Sequence, residues 1–465
     1  MLVQAVYVVA AHVACLSRAT TTAQDKVKNK WTLEKPEQML DMKFREAKTT
    51  VRMLSKAAVA HGGNRAFGTA GFNASMQAVL GQLEQYSKSV KVHIQQFSHL
   101  FEETRQIKFN TADVSDDTLV SLRYNTATPP EGIYARLIDA SLNDTSRTFC
   151  SQRQWDRTKI NATDKIVLME RGGCPLAKKL RLATENGARA VIFYHNTFQQ
   201  IPTEDAVTSE EHIGKMVPAG ITTRENGHRL SNAFKERRLV RVNFTVDAVV
   251  EKRNSWNVIA QTKEGNPRKV IMVGANLDSF PGSEGLNDNA SGAGVVMQVL
   301  DCFAHHRNFT NAMRFAWWGA GKKGSAGSRH YLSELSDWEA RNIAFYFNYE
   351  RLASQTPNYT VHGNNEADIN GAKELIKHLR SQEISPQFTT LTAESDYTGF
   401  TKRGIPCSGI SGGPPGNPDE LHVLREDSLR RCDWKKLRTA AKSAVYVAAK
   451  LALTTDEIPR PEDYE

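Results

Sequence analysis

Four polar positions stand just past apolar runs in the second half of the chain. Asn276 and Asp278 follow Lys269–Ala275, Lys322 follows Asn311–Trp318, and Glu350 follows Ile343–Tyr349. A further carboxylate, Asp288, lies within Asn287-Asp288-Asn289, ahead of a mostly apolar stretch from Ser291 to Ala304. Carboxylates at such places can hold a cation or move a proton. The company they keep argues against both. The Asn276 amide is a poor metal ligand beside an imidazole or a carboxylate. The Lys322 ammonium repels a cation, and Gly321 before it has no side chain to act with. Each carboxylate also has a plainer role open to it. Asp288 can cap the helix that starts near Ser291, Asp278 can order its own loop, and Glu350 can be a strand-end surface residue. His61, His305, His306, His330 and His362 read as ordinary surface or helix residues, and Trp317 and Trp318 as core. No Cys/His spacing marks a structural zinc site, and no nucleophile–base pair supports metal-free hydrolysis.

The elements that must carry these residues follow from periodicity. From Asn254 onward, strands at Lys269–Ala275, Asn311–Trp318 and Ile343–Tyr349 alternate with helices at Ser291–Ala304, Ser328–Leu335 and Gly371–Glu383. A long amphipathic helix near Trp434–Leu453 closes the domain. Strands separated by helices predict an α/β fold, a mostly parallel central sheet with helices on both faces. Chemistry in such sheets gathers at the carboxyl ends of the strands, where the polar positions fall. Ahead of this lies a helix–turn–helix–strand opening: Met39 to Ala60 at helical spacing, the turn His61–Arg65, a helix through Leu83, then alternation at Val90, Val92 and Ile94. Residues 112–247 read as a β-rich insert, with strands at Ile133–Ile138, Lys165–Met169, Ala190–Tyr194 and Val240–Val246 and a helix from Pro175 to Asn186. Cys150 and Cys174 flank one of its strands and are expected to pair. The predicted boundaries are 37–111 and 250–455 for the two parts of the main domain, 112–247 for the insert, and 456–465 for an acidic tail.

The chain of 465 residues is long enough for two or three domains, and 40% hydrophobic with 24% charged residues is a globular balance. The net charge of +9 is spread without a basic stripe, which argues against nucleic-acid binding. Leu2 to Leu16 is mostly apolar and is followed by small and polar residues, so residues 1–23 read as a signal peptide and the protein as secreted. No later segment is long and apolar enough to span a bilayer. Asn73, Asn143, Asn161, Asn243, Asn308 and Asn358 each open an N-x-S/T glycosylation triplet. Asn289 opens another that is expected to be buried. Cys15 falls in the leader, which leaves five cysteines and at least one thiol free or paired between chains.

Five blocks in order carry a resemblance: HGGNRAFGTAGFNAS, VGANLDS with GLNDNASGAGVV, NAMRFAWWGAGKKGSAGSRHYL, IAFYFNYERLAS and SDYTGFTKRGIP. Over roughly residues 40–455 the chain resembles the secreted zinc aminopeptidases, co-catalytic two-zinc exopeptidases of the aminopeptidase Y type. The run KIVLMERGGCPLAKKLRLATENGARAVIFYHN resembles their inserted protease-associated domain. The resemblance implies two zinc ions sharing a bridging carboxylate and activating a water, with a Glu as general base. The positions it assigns are mostly altered. A ligand His falls on Asn276, while the neighbouring Asp278 is kept. The bridging carboxylate falls on Asp288. The base and the ligand after it fall on Gly321 and Lys322, and a ligand Asp falls on Glu350. Counting back from Cys432-Asp433 places the last ligand His at Leu429, with His422 as its substitute if the divergent loop has shifted. A second bridge between Cys407 and Cys432, which flank that loop, is a further expectation.

These losses imply a secreted aminopeptidase-like protein that is catalytically inactive and serves as a binding or scaffolding protein for a protein or peptide ligand. No cofactor is expected. The transferrin-receptor-like proteins, which resemble it in scaffold and insert, serve recognition. The alternative is an active metallo-aminopeptidase releasing N-terminal amino acids, with zinc held by Asp288, Glu350, Asn276 and His422. Lys322 is expected to approach the vacated metal position and pair with Asp288, with Glu350 also in reach; the alternative sends it to solvent.

Overall fold

A computed structural model describes residues 30–41, 43–111, 118–140, 148–197, 206–207, 210–236, 240–356, 358–391, 395–413 and 426–459. The N-terminal apolar segment, Asn143 and His422 lie outside these residues. The chain divides into two units: Met1–His99 with Asn254–Glu465, and Leu100–Arg253.

In the first unit the sheet runs across the strands Gln387–Thr389, Tyr359–His362, Cys407–Gly412, Ile343–Glu350, Asn266–Asn276, Asn311–Trp318 and the end of Arg241–Thr262. The middle four strands are parallel to one another. The sheet as a whole is mixed, which corrects the expectation of a mostly parallel one. Tyr359–His362 runs antiparallel to Cys407–Gly412, and Arg241–Thr262 antiparallel to Asn311–Trp318. The cause is the connections. Thr262 is joined to Asn266, and Glu350 to Tyr359, by short links without a helix, and a chain returning that soon runs antiparallel, because parallel neighbours need a long crossover.

Helices Ser291–Ala304 and Trp434–Leu453 have the bounds expected from the sequence. All fourteen residues of Ser291–Ala304 are buried. It packs on one face of the sheet between Glu46–Ala60 and Trp434–Leu453, in the largest apolar cluster, with Ile271, Val273 and Ala275 below it. The alternate residues Val270 and Met272 face a second cluster with Trp318, Tyr346 and Phe400. Trp317 and Trp318 are both fully buried, on opposite faces. The sheet therefore has apolar layers on both sides, with Asn276 and Glu350 at the ends of two of its central strands.

The second unit carries three parallel strands, Ile166–Glu170, Ala190–Tyr194 and Ala219–Thr222, with Ile133–Asp139 parallel beside the first. Their side chains build two apolar clusters, one on each side. Cys150 and Cys174 form a disulfide across a sequence separation of 24. Closing a loop of that length contributes roughly 3 kcal/mol by restricting the unfolded chain.

The second expected bridge is absent: Cys302, Cys407 and Cys432 are free buried thiols. Cys407 points into the cluster with Trp318, whereas Cys432 joins the cluster on the other face of the sheet. Proximity in sequence to one loop cannot bring two thiols together through a sheet. Among the described residues no helix is long and apolar enough to cross a membrane.

Candidate functional site

Asn276, Lys322 and Glu350 stand at or beyond the carboxyl ends of three adjacent parallel strands, and Asp288 sits in the turn that feeds the buried helix. The structure brings them together. The Lys322 ammonium is ion-paired with the Asp288 carboxylate, with side chains only 15% and 18% exposed. Lys322 Nζ also lies 5.0 Å from the Phe280 ring centroid. Burial alone would lower the Lys322 pKa, but Asp288, with Glu350 and Asp278 behind it, raises it above the ordinary value. Burial alone would raise Asp288, yet Lys322, Arg351 and Arg65 hold it below the usual carboxylate range. Both groups are held in their charged forms.

Asp278 is buried and orders the loop around it. Its Oδ1 accepts from Gly321 N at 2.7 Å and its Oδ2 from Lys322 N at 3.0 Å. Asn276 Nδ2 donates to the Asp278 carbonyl at 2.9 Å, while Asn276 Oδ1 accepts from Asn289 Nδ2 at 3.0 Å. Both ends of the Asn276 amide are thus committed to neighbours. Gly321 has no room for a side chain. A Cβ there would lie 2.3 Å from Asn276 Cβ and 3.1 Å from Asp278 Oδ1.

Asp288 does not cap the helix, which corrects the plainer reading of that residue. The helix at Ser291 has no side-chain cap on its N-cap residue. The neighbouring Asn289 takes the local duties: its Oδ1 accepts from Gly292 N and Arg351 N, and its Nδ2 donates to Tyr349 O. The Asp288–Asn289 peptide is cis. Asp288 is left with its carboxylate turned to Lys322.

Glu350 does not reach Lys322 with a hydrogen bond. Its Oε1 accepts from Asn348 Nδ2 at 2.8 Å and from Ser395 Oγ. Leu429 is packed against the large apolar cluster. The residue of that segment that does reach the site is Asp427, whose two oxygens accept from Asn287 N at 2.6 Å and Asp288 N at 2.8 Å. His362 is buried in a strand and not on the surface, with Nε2 2.8 Å from Ser411 Oγ.

Three supports were missed in the sequence. Besides Asp427, Arg65 is fully buried and donates to the carbonyls of Glu284, Leu277 and Gly285, which ties its own turn to the loop between Asn276 and Asp288. Burial pulls its pKa down to about 10 against the pull of Asp278 and Asp427. Asp396 is buried behind Glu350 and accepts from Ser328 Oγ at 2.8 Å. Arg65 and Asp396 both lie inside the quoted blocks, so their presence was visible and their roles were not.

Burial, then the charge of Glu350, raise the Asp396 pKa from 3.8 to about 7. The native state therefore keeps a proton that the unfolded chain loses near pH 4. Stability should fall as pH rises from about 4 to about 7 and level off above, by on the order of 4 kcal/mol if the whole shift is expressed. Asp396→Asn is expected to flatten that slope in urea denaturation series run between these pH values; an unchanged slope would exclude Asp396 as its source.

The two-zinc centre implied by the resemblance does not fit this set of groups. One carboxylate carries an ammonium, one ligand position is an amide bonded at both ends, and the base position admits no side chain. Among the described residues no group of three or more His, Cys, Asp or Glu side chains is arranged to hold a metal ion.

Residues 257–448 match the model for peptidase family M28, and residues 133–230 match the PA domain. A probable lipoprotein aminopeptidase, LpqL, of Mycobacterium tuberculosis is 31% identical over 378 residues, covering 77% of this chain and 72% of the relative. Aminopeptidase Y of Saccharomyces cerevisiae is 24% identical, over 86% of this chain and 75% of its own length. Among solved structures, an aminopeptidase from Aneurinibacillus sp. strain AM-1 superposes with a TM-score of 0.69 at 21% identity, covering 91% of this chain and 97% of that one. A zinc aminopeptidase from Bacillus subtilis gives a TM-score of 0.66 at 22% identity, covering 91% of this chain and 100% of its own. At these identities the solved structures speak for the fold alone.

Proposed function

The chain belongs to peptidase family M28, with a PA domain inserted, and from that premise we propose that it is a secreted aminopeptidase-like protein that binds a protein or peptide ligand without hydrolysing it. The observation that carries this reading is the buried ion pair of Lys322 with Asp288. An ammonium paired with the carboxylate that the resemblance assigns to a metal bridge balances its charge but has no Lewis acidity and activates no water. With Gly321 at the position of the general base, the proton-transfer step also lacks its acceptor. The fold is kept, and a kept fold with altered chemistry supports recognition.

The rewired-enzyme reading needs Asn276 and Asp288 as ligands. Their present bonds to Asp278, Asn289 and Lys322 weigh against it.

The test is metal content and hydrolysis measured together. The purified chain is dialysed with zinc and then against metal-free buffer, and assayed on a chromogenic leucine amide beside an active M28 aminopeptidase. The reading expects no stoichiometric zinc and a rate at the uncatalysed background. Zinc retained at one or more ions per chain, with turnover, would overturn it.

A further inference from the structure

The sequence holds seven N-x-S/T triplets, and the structure separates them. Asn73, Asn161, Asn243, Asn308 and Asn358 have exposed side chains, and Asn289 is fully buried. Asn289 Nδ2 is occupied by Asn276 Oδ1 and Tyr349 O, so a sugar on that nitrogen is incompatible with the folded site. Asn358 differs from the others in its place. It immediately precedes the strand Tyr359–His362, which runs antiparallel beside Cys407–Gly412, so its beginning lies at the end of the sheet where the site is. Tyr359 is in register with Gly412, and the residue before Gly412, Ser411, with Glu350. Two strand spacings, roughly 10 Å, therefore separate the chain at Asn358 from the strand that ends at Glu350.

The backbone at Asn358 is held firmly while its side chain is left outward. The Asn358 carbonyl accepts from Gly413 N at 3.3 Å and from Lys436 Nζ at 2.9 Å. Lys436 also donates to Ser354 Oγ at 2.7 Å, which fixes the loop that follows Glu350. Thr360, which completes the triplet, is buried in the strand. The triplet must therefore be read while the chain is still extended, as it is during export.

We propose that Asn358 is an N-glycosylation site whose oligosaccharide is attached at the end of the sheet that carries the candidate site, two strands from Glu350. The inference rests on the secretory reading of the chain. The donor is a lipid-linked oligosaccharide diphosphate. The Asn358 Nδ2 forms a bond to the reducing-end sugar carbon and gives up a proton. The carbon–oxygen bond to the diphosphate breaks, and the lipid diphosphate leaves with the electron pair. The sugar replaces one amide hydrogen that has no protein partner among the described residues, so the folded structure loses nothing by it. Asn289, with the same triplet chemistry, is the internal contrast.

The experiment expresses the full chain with its own N-terminal segment in a eukaryotic host. The secreted protein is treated with peptide-N-glycosidase in heavy-oxygen water, and each triplet asparagine is scored by mass for conversion to Asp. Conversion at Asn358, with none at Asn289 and loss of one glycan in Asn358→Gln, is the expected result. Conversion at Asn73, Asn161, Asn243 or Asn308 without Asn358 would overturn the proposal and leave the secretory reading standing. Conversion at no position would overturn both, and neither result bears on metal content or hydrolysis, which test the binding role separately.

Discussion

Replacing Lys322 with alanine is expected to lower the unfolding free energy by roughly 3–5 kcal/mol, the cost of stripping one partner from a buried ion pair. The site makes this loss larger than a surface pair would. Asp288 would be left with its charge where it is only 18% exposed, with Asp427 accepting hydrogen bonds from its own backbone N–H and from that of Asn287. Asp278 and Glu350, which now feel the ammonium, would face it uncompensated. Arg65 stays, but its guanidinium is spent on three carbonyls. Urea denaturation near neutral pH measures the effect. Lys322→Met with Asp288→Asn should recover most of the loss, because removing both charges removes the penalty of the orphan. A Lys322→Ala variant as stable as the parent, with no gain in metal affinity, would mean that the pair does not hold the site together.

The larger functional change is expected from Asn276→His combined with Lys322→Glu. The double substitution removes the competing ammonium, frees Asp288 and adds an imidazole and a carboxylate beside it and Glu350. Together these supply about four donors of the kinds zinc prefers. The variant should retain about one zinc per chain through dialysis and the parent is expected to retain less than a stoichiometric amount, which atomic emission on the dialysed proteins would show. Hydrolysis should stay absent or at least about 10²-fold below an active relative, because the base is still missing. Adding Gly321→Glu is not expected to complete the site. Its Cβ would press on residue 276 at 2.3 Å, so the backbone after Trp318 must move first. A double variant without zinc would show that the loops have drifted too far from ligand geometry for charge alone to restore it.

Much of this protein could be read from residue order. Largely apolar runs located the strand Asn311–Trp318 and, to within one residue, the strand Ile343–Glu350, since strands buried on both faces are written as near-continuous apolar stretches. The altered positions Asn276, Gly321 and Lys322 were equally legible, because side-chain chemistry does not depend on the fold. The pairing of Cys150 with Cys174 also followed from order, as the two cysteines bracket one strand in a small unit.

Other features had to wait for three dimensions. Strand direction at the sheet edges depends on where the short links at 263–265 and 351–358 lead the chain, and hydrophobic alternation is the same for either direction. Cys407 and Cys432 looked like neighbours because one loop separates them, yet the sheet stands between their thiols. Asp427, and not Leu429, turns its side chain to the site, because a divergent segment carries no spacing that says which residue points inward. Lys322 had two courses open to it in the sequence, solvent or Asp288. Only the packed structure could decide between them, because it leaves the ammonium beside a carboxylate in a pocket with little water and no better partner.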